Sequence, residues 1–84
     1  MRFGHFFYPM KFDDSKDHEE IQNCLHEAEL VESLGMDAIW FAEHYFTGEC
    51  VYGDPLVFAG AIAVKTKTIL LGFGILELPI HNPV

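Results

Sequence analysis

Three short apolar runs bounded by turn residues predict three β-strands in this chain. The runs are Arg2–Tyr8, Met36–Ala42 and Thr68–Ile75. Continuous apolar runs of this length are typical of strands that are buried on both faces of a parallel sheet. Because helical patterns lie between the runs, the strands are expected to be joined by right-handed crossovers. The chain is therefore predicted to be an α/β protein with the element order β-α-β-α-β.

The segment Asp17–Leu34 has the hydrophobic spacing of a helix with one buried face. Its apolar residues recur three and four positions apart and are Ile21, Cys24, Leu25, Ala28 and Val31. Asp17 and Glu20 resemble a capping box at the start of this helix. Gly35 is typical of the residue that follows a helix end. The first helix is therefore predicted over Asp17–Leu34.

A second helix is predicted after Asp54, which is expected to be its N-cap, with Pro55 as its first residue. The helix is expected to continue through Leu56–Lys65, where small and apolar residues predominate. Three alanines are expected to let it pack closely on the sheet, and these are Ala59, Ala61 and Ala63. The segment Leu76–Val84 contains two prolines and is predicted to be irregular.

Composition and charge restrict the classes of partner. The 84 residues are half hydrophobic and carry a net charge of −8, with eight of the 13 acidic residues between Asp13 and Glu32. This charge argues against nucleic acid or an anionic membrane surface as a partner. No apolar run is long enough to span a membrane. Cys24 and Cys50 lack the spacing of a metal or redox site, so we expect no metal and a cytoplasmic protein with reduced thiols, although the pair could bridge.

Titratable residues and glycines gather where the predicted strands end. Glu43 and His44 directly follow the second strand, and parallel α/β proteins place their chemistry just beyond the carboxyl ends of the strands. His44 is a candidate for proton transfer because an imidazole titrates near neutral pH. Gly72 and Gly74 occur near the end of the third strand, where glycine often marks a bulge or a close approach to a ligand. The alternative interpretation is a surface carboxylate, a loop histidine and a flexible strand exit.

Five motifs follow one another along the chain. In order, they are R-F-G-x-F, E-x-L-G-M-D-A-I-W-F-A-E-H-Y-F, G-D-P, T-K-T-I-L-L-G-F-G and L-P-x-x-N-P-V. With these spacings, the chain resembles the N-terminal part of the bacterial luciferase-like flavin-dependent monooxygenase family. The resemblance implies that residues 1–84 are the N-terminal β-α-β-α-β portion of one TIM (β/α)₈ barrel domain, with parallel strands and incomplete in this chain.

The same resemblance implies an enzyme that uses reduced flavin, usually FMN, with O₂ as co-substrate to oxygenate a small organic substrate, which is an aldehyde in the luciferases. It also implies a flavin reductase as supplier of the reduced flavin and a dimeric assembly. Two alternatives stay open: an F420-dependent oxidoreductase of the same fold, and a non-catalytic flavin-binding or interaction module. Because a TIM barrel takes about 250 residues, the chain alone is expected to be inactive and to be molten or self-associating.

The resemblance also implies roles for single residues. His44 matches the active-site histidine of the family, and Glu43, Gly74 and Ile75 match positions at the cofactor site. A non-prolyl cis peptide or a bulge is expected between Gly74 and Ile75. Glu43 is expected either to orient the His44 ring or to point to the opposite face and belong to the barrel wall. The departures from the family pattern are Tyr45, in place of a second histidine, and Glu77, in place of an apolar residue.

Overall fold

The computed structural model describes residues 1–10, 16–46 and 49–83. Within these residues the chain forms three strands, two α-helices and one short 3₁₀ turn. In order, they are β1 (Gly4–Phe7), α1 (Asp17–Ser33), β2 (Ala38–Phe41), α2 (Pro55–Ala63), β3 (Leu70–Phe73) and the turn Leu78–Ile80. The predicted α/β class and element order are confirmed. No helix in the described parts of the chain is long and apolar enough to cross a membrane.

The three strands form one open parallel sheet in the order β1-β2-β3. The register aligns Gly4 with Ala38 and Ala38 with Leu70. Each strand has four residues and is shorter than its apolar run in the sequence. The apolar runs continue beyond the paired residues because hydrophobicity marks burial, whereas a strand ends where its ladder of hydrogen bonds ends.

Helix α1 packs the predicted face against the sheet. Its buried residues are Cys24, Ala28 and Val31, with Ile21 and Leu25 partly buried against the same core. The N-cap is Lys16 rather than Asp17, and it makes no side-chain cap, so the predicted capping box is wrong. The helix ends as predicted at Gly35, which has a φ of +82°. The amides of Gly35 and Met36 donate to carbonyls of the last helical turn at 3.0 and 3.3 Å, as in a Schellman motif.

Helix α2 begins as the sequence predicts. The Asp54 carboxylate accepts hydrogen bonds from the amides of Leu56 and Val57 at 2.8 and 3.4 Å, and Pro55 is the first helical residue. The buried residues of this helix are Pro55, Phe58, Ala59 and Ile62. Ala61 is only half-buried and Ala63 is exposed, so the expectation that all three alanines pack on the sheet is wrong for these two. Residues two apart in a helix do not share a face, because each residue advances by about 100°.

The hydrophobic core lies between the sheet and the two helices. Phe7, Ile39 and Phe41 point from the strands into this layer and are buried. Phe41 packs edge-on against Phe58 of α2, with ring centroids 5.9 Å apart. The opposite face of the sheet is exposed in the described chain, where Trp40 is 44% accessible. The prediction of strands buried on both faces therefore holds only for the face that the helices cover.

The Trp40 ring lies across its neighbouring strands on the exposed face. A β-carbon added at Gly72 would lie 2.7 Å from the indole ring, and one added at Gly4 would lie 2.9 Å from the indole nitrogen. Any side chain at either position would therefore overlap the tryptophan. These glycines are required by the space that the indole occupies, and not by a special backbone conformation.

The carboxylate of Glu32 ties the end of α1 to the turn that precedes β3. It accepts hydrogen bonds from the amides of Lys67, Thr68 and Ile69 at 2.9, 2.7 and 2.9 Å. The backbone hydrogen bonds, of which that from Thr68 is the strongest, lower the pKa of Glu32 from 4.5 to about 2. Because the folded pKa is depressed, the contribution of Glu32 to stability is present above pH 4.5 and is lost as the pH falls towards 2.

Replacement of Glu32 by glutamine is therefore expected to lower the melting temperature at neutral pH, because the three amides lose an ionised acceptor. The difference between the two proteins should shrink as the pH falls from 5 to 2, where the wild-type carboxylate is itself protonated. Thermal unfolding followed by circular dichroism across this range is the measurement. Glu29→Gln makes the same charge change on an exposed part of α1 and is the control. A difference that is independent of pH would contradict the assignment.

Candidate functional site

The segments that follow the three strands lie side by side at one edge of the sheet. The strands are parallel, so their carboxyl ends meet there. The amide of Ala42 donates to the carbonyl of Phe7 at 3.4 Å, and that of Gly74 donates to the carbonyl of Phe41 at 2.9 Å. These hydrogen bonds continue the sheet beyond its last ladder pair. They place the residues after β2 between those after β1 and β3.

His44 is exposed at this edge and contacts the side chain of Tyr8. The two ring centroids are 4.9 Å apart and the rings are tilted by 59°. Tyr8 in turn stacks with Phe6, with centroids 6.5 Å apart. The imidazole is therefore supported by an aromatic side chain and remains open to a ligand. An imidazole that is open to a ligand is placed to act as a general acid or base.

The neighbouring Glu43 lies in the opposite environment, since its side chain is 0% exposed. Its carboxylate accepts hydrogen bonds from the hydroxyl of Tyr45, the backbone amide of Glu77 and the Nε2 atom of His81. Burial acts to raise the pKa of Glu43, but these donors outweigh it and the net shift is downward. None of the hydrogen bonds described for Glu43 reaches His44. The carboxylate is therefore bound to Tyr45, Glu77 and His81, and its role at the cofactor site stays a prediction.

Tyr45 occupies the position at which the family pattern has a second histidine. Its hydroxyl donates to Glu43, and this hydrogen bond raises the pKa of Tyr45 to about 12. The phenol therefore stays protonated at neutral pH. Tyr45 therefore supplies a hydrogen-bond donor to Glu43 where the family pattern has the second histidine. The imidazole of His44 is exposed.

The peptide bond between Gly74 and Ile75 is cis, as the family resemblance led us to expect. Both residues are exposed, and Ile75 has 69% of its surface accessible. A β-carbon added at Gly74 would meet only the ring of Phe6, at an ordinary contact distance of 3.8 Å, so nothing in the described chain requires glycine there. Bare backbone followed by an exposed isoleucine fits a flat ring that lies against the strand end. The role of this peptide in binding a cofactor stays a prediction.

Tyr52 supports the end of β2 from inside the core. Its hydroxyl donates to the carbonyl of Ala42 at 2.5 Å, and its ring stacks on Phe58 with centroids 4.8 Å apart. Burial raises the pKa of Tyr52, so its hydroxyl remains a donor. Ala42 directly precedes Glu43, and Tyr52 therefore helps to fix the backbone from which the site residues project.

Three residues of this region were not predicted as site residues, although the sequence placed Tyr8 at the end of the first strand. Tyr8, Tyr52 and His81 contact the strand ends but were not candidates. The position of Tyr8 at the end of the first apolar run is a signal that could have found it. Tyr52 and His81 lie outside the strands, and their contacts with the end of β2 arise only from the tertiary structure. Among the described residues, no group of three or more His, Cys, Asp or Glu side chains is placed to hold a metal ion.

A parallel sheet with helices on one face and reactive side chains at the carboxyl ends of its strands defines a class of α/β enzymes that bind small molecules at that edge. A family model of luciferase-like monooxygenases matches residues 1–84. The chain belongs to this family, and its open sheet of three parallel strands with two helices is consistent with a portion of a luciferase-like TIM barrel.

Three named monooxygenases align with nearly the whole of this chain. Limonene 1,2-monooxygenase of Rhodococcus erythropolis is 35% identical over 81 residues, which are 96% of this chain and 21% of that protein. The alkanal monooxygenase alpha chain of the Kryptophanaron alfredi symbiont is 31% identical over 84 residues, or 100% of this chain and 24% of that protein. The oxygenase component of a flavin-dependent trigonelline monooxygenase from Acinetobacter baylyi is 27% identical over 85 residues, which are 100% of this chain and 24% of that protein. The chain spans about a quarter or less of the length of these relatives.

Proposed function

We propose that this chain belongs to a flavin-dependent monooxygenase in which the carboxyl ends of β1, β2 and β3 form one side of the cofactor and substrate site. The observation that carries the proposal is that the exposed His44 ring and the exposed Gly74–Ile75 backbone lie at the same edge of the sheet. The names of the relatives support a monooxygenase, and one of them names flavin dependence. Activity is proposed for the complete protein, because the chain spans only part of its relatives.

Each residue at the edge has a distinct task in this proposal. Bound reduced FMN supplies the chemistry that activates O₂ for transfer to a small organic substrate. The Gly74–Ile75 backbone lets the flat ring approach closely, and the Ile75 side chain covers it with apolar surface that excludes water. His44 holds or accepts a proton next to the reacting atoms, and Tyr8 keeps its ring in place.

Cys24 and Cys50 are both free thiols, which supports a cytoplasmic setting.

A separate flavin reductase is the proposed partner. One relative is named as the oxygenase component of a trigonelline monooxygenase, which supports a division of labour between two proteins. An oxygenase of this kind receives reduced flavin from its partner and returns the oxidised form. The dimeric assembly implied by the family resemblance stays a prediction.

The proposal is tested by anaerobic titration of the complete protein that carries this chain with reduced FMN and, separately, with reduced F420. We expect saturable binding of reduced FMN. Admission of O₂ in the presence of a flavin reductase and a panel of terpenes, aldehydes and aromatic acids should then give an oxygenated product. Binding of F420 alone, with hydride transfer and no O₂ consumption, would replace the monooxygenase by an F420-dependent oxidoreductase. Binding of FMN with no turnover of any compound would favour a non-catalytic flavin-binding module.

A further inference from the structure

The carboxylate of Glu43 joins two parts of the chain that are far apart in sequence. It lies directly after β2, and two of its three donors lie in the segment after β3, at separations of 34 and 38 residues. One donor is the backbone amide of Glu77 and the other is Nε2 of His81. The third donor, the Tyr45 hydroxyl, comes from the same strand end as Glu43 itself. Glu43 is therefore the point at which the exit segments of β2 and β3 are connected.

Burial acts to raise the pKa of Glu43, but its hydrogen-bond donors outweigh burial and lower it, so the carboxylate is ionised at neutral pH. Oε1 accepts from Tyr45 and His81, and Oε2 accepts from Glu77. A protonated carboxyl would carry a hydrogen on one of these oxygens and would lose an acceptor. With Glu43 ionised, His81 is the donor in its contact with Oε1, through a proton on Nε2. Removal of the buried carboxylate would leave its three donors without an acceptor, and removal of a donor would leave the buried charge less well paired. Either change is therefore costly.

We propose that Glu43 is a positioning residue, whose buried carboxylate holds the Glu77–His81 segment against the end of β2 and so sets the distance between His44 and the Gly74–Ile75 backbone. This inference rests on the proposed function, because it assigns the purpose of the connection to the flavin site. His44 follows Glu43 directly and Gly74 precedes Glu77 by three residues, so both site elements are attached to the connection by short lengths of chain. Glu43 itself does not touch flavin or substrate in this assignment.

Two pairs of variants separate positioning from other roles. Glu43→Gln keeps the shape of the side chain but turns an amide NH₂ towards a donor. His81→Leu removes a donor from the same network, and His81→Gln keeps a donor there. Glu29→Gln makes the same chemical change as Glu43→Gln on an exposed part of α1 and is the control. Since His81 is the more accessible of the two partners, its variants remain informative where Glu43→Gln does not fold.

The measurements are the Kd for reduced FMN, kcat across pH, and amide hydrogen exchange at Glu77, all in the complete protein. A misplacement of about 1 Å can cost about 10²-fold in rate. Glu43→Gln and His81→Leu are therefore expected to weaken reduced FMN binding and lower kcat by tenfold or more per folded molecule, and to expose the Glu77 amide to exchange. The limbs of the pH–kcat profile should be kept in both variants, because the proton is assigned to His44 and not to Glu43. His81→Gln and Glu29→Gln should behave like the wild type.

Three results would overturn the inference. Variants that melt at a lower temperature but keep the wild-type Kd and kcat per folded molecule would give Glu43 a structural role only. Loss of one limb of the pH–kcat profile in Glu43→Gln, with that limb kept in His81→Leu, would make Glu43 a group that itself exchanges the proton. Fast exchange of the Glu77 amide in the wild type would show that the connection does not persist in solution. Failure of the proposed function is recognised separately in the wild-type protein, which would then bind reduced F420 alone, bind reduced FMN without turnover, or bind neither flavin. If neither flavin binds, the positioning role falls with the proposed function.

Discussion

Replacement of His44 by alanine is expected to lower the turnover of the complete protein by about 10²–10⁴-fold, the usual contribution of a general acid or base. The imidazole is the exposed titratable ring at the strand ends, and it is held by contact with Tyr8 rather than by an ion pair with Glu43. Its loss removes a proton carrier and leaves the buried connection around Glu43 intact. The Kd for reduced FMN should therefore change little.

The measurement is kcat with the preferred substrate across pH, together with anaerobic flavin titration. His26→Ala is the matched control, because His26 is an exposed histidine on α1, away from the strand ends, whose ring lies 3.7 Å from the carboxylate of Glu29. It should leave both quantities unchanged. A loss of less than about tenfold for His44→Ala at every pH would assign His44 to the alternative of a loop histidine without a catalytic role. A large loss of flavin affinity would instead make His44 part of the binding surface.

Replacement of Gly72 by alanine is expected to destabilise the protein by about 1–3 kcal/mol, the usual cost of overpacking. The new methyl group would lie 2.7 Å from ring carbons of Trp40. The indole cannot simply slide away along the sheet, because its other end already lies against Gly4, where a β-carbon would be 2.9 Å from the indole nitrogen. The tryptophan has to leave its place on the sheet, or the strands have to separate.

Urea unfolding measures this cost, and the emission of Trp40, the single tryptophan of residues 1–84, reports its displacement. Gly60→Ala is the control with the opposite expected sign. Nothing lies within 4 Å of a β-carbon at Gly60, which is in the interior of α2. Alanine is favoured over glycine in a helix by about 0.5–1 kcal/mol. Equal effects of the two substitutions would contradict the steric explanation for Gly72.

Local signals allowed the helices to be predicted, with an error at the start of α1 and another in the packing of the α2 alanines. Asp54 and Gly35 were identified correctly because a cap and a C-terminal glycine depend on a few neighbouring residues. Asp17 was wrong as a cap because it already lies in the first helical turn. Acidic residues are favourable there through the helix dipole alone, and Glu19 and Glu20 share that turn. The same sequence pattern therefore has two physical origins, and only the backbone distinguishes them.

The site was predicted where it depends on the ends of strands and missed where it depends on distant contacts. His44 could be chosen because parallel sheets place reactive groups beyond their strands. The cis geometry of Gly74–Ile75 was expected from the family resemblance and not from the residues themselves. The departure at Glu77 is explained by the structure. Its side chain is exposed and its backbone amide binds Glu43, so any residue except proline can make this hydrogen bond.

The strands lie in the sheet in the same order in which they occur in the chain. Each pairing closes a loop of about 30 residues, such as that from Gly4 to Ala38, at an entropic cost that rises only slowly with length. During synthesis β2 emerges next to a partner that is already complete, and β3 then joins the free side of β2. No earlier pairing has to be undone when a new strand arrives. Each strand that has paired thus presents the free backbone groups to which the next strand of the chain adds.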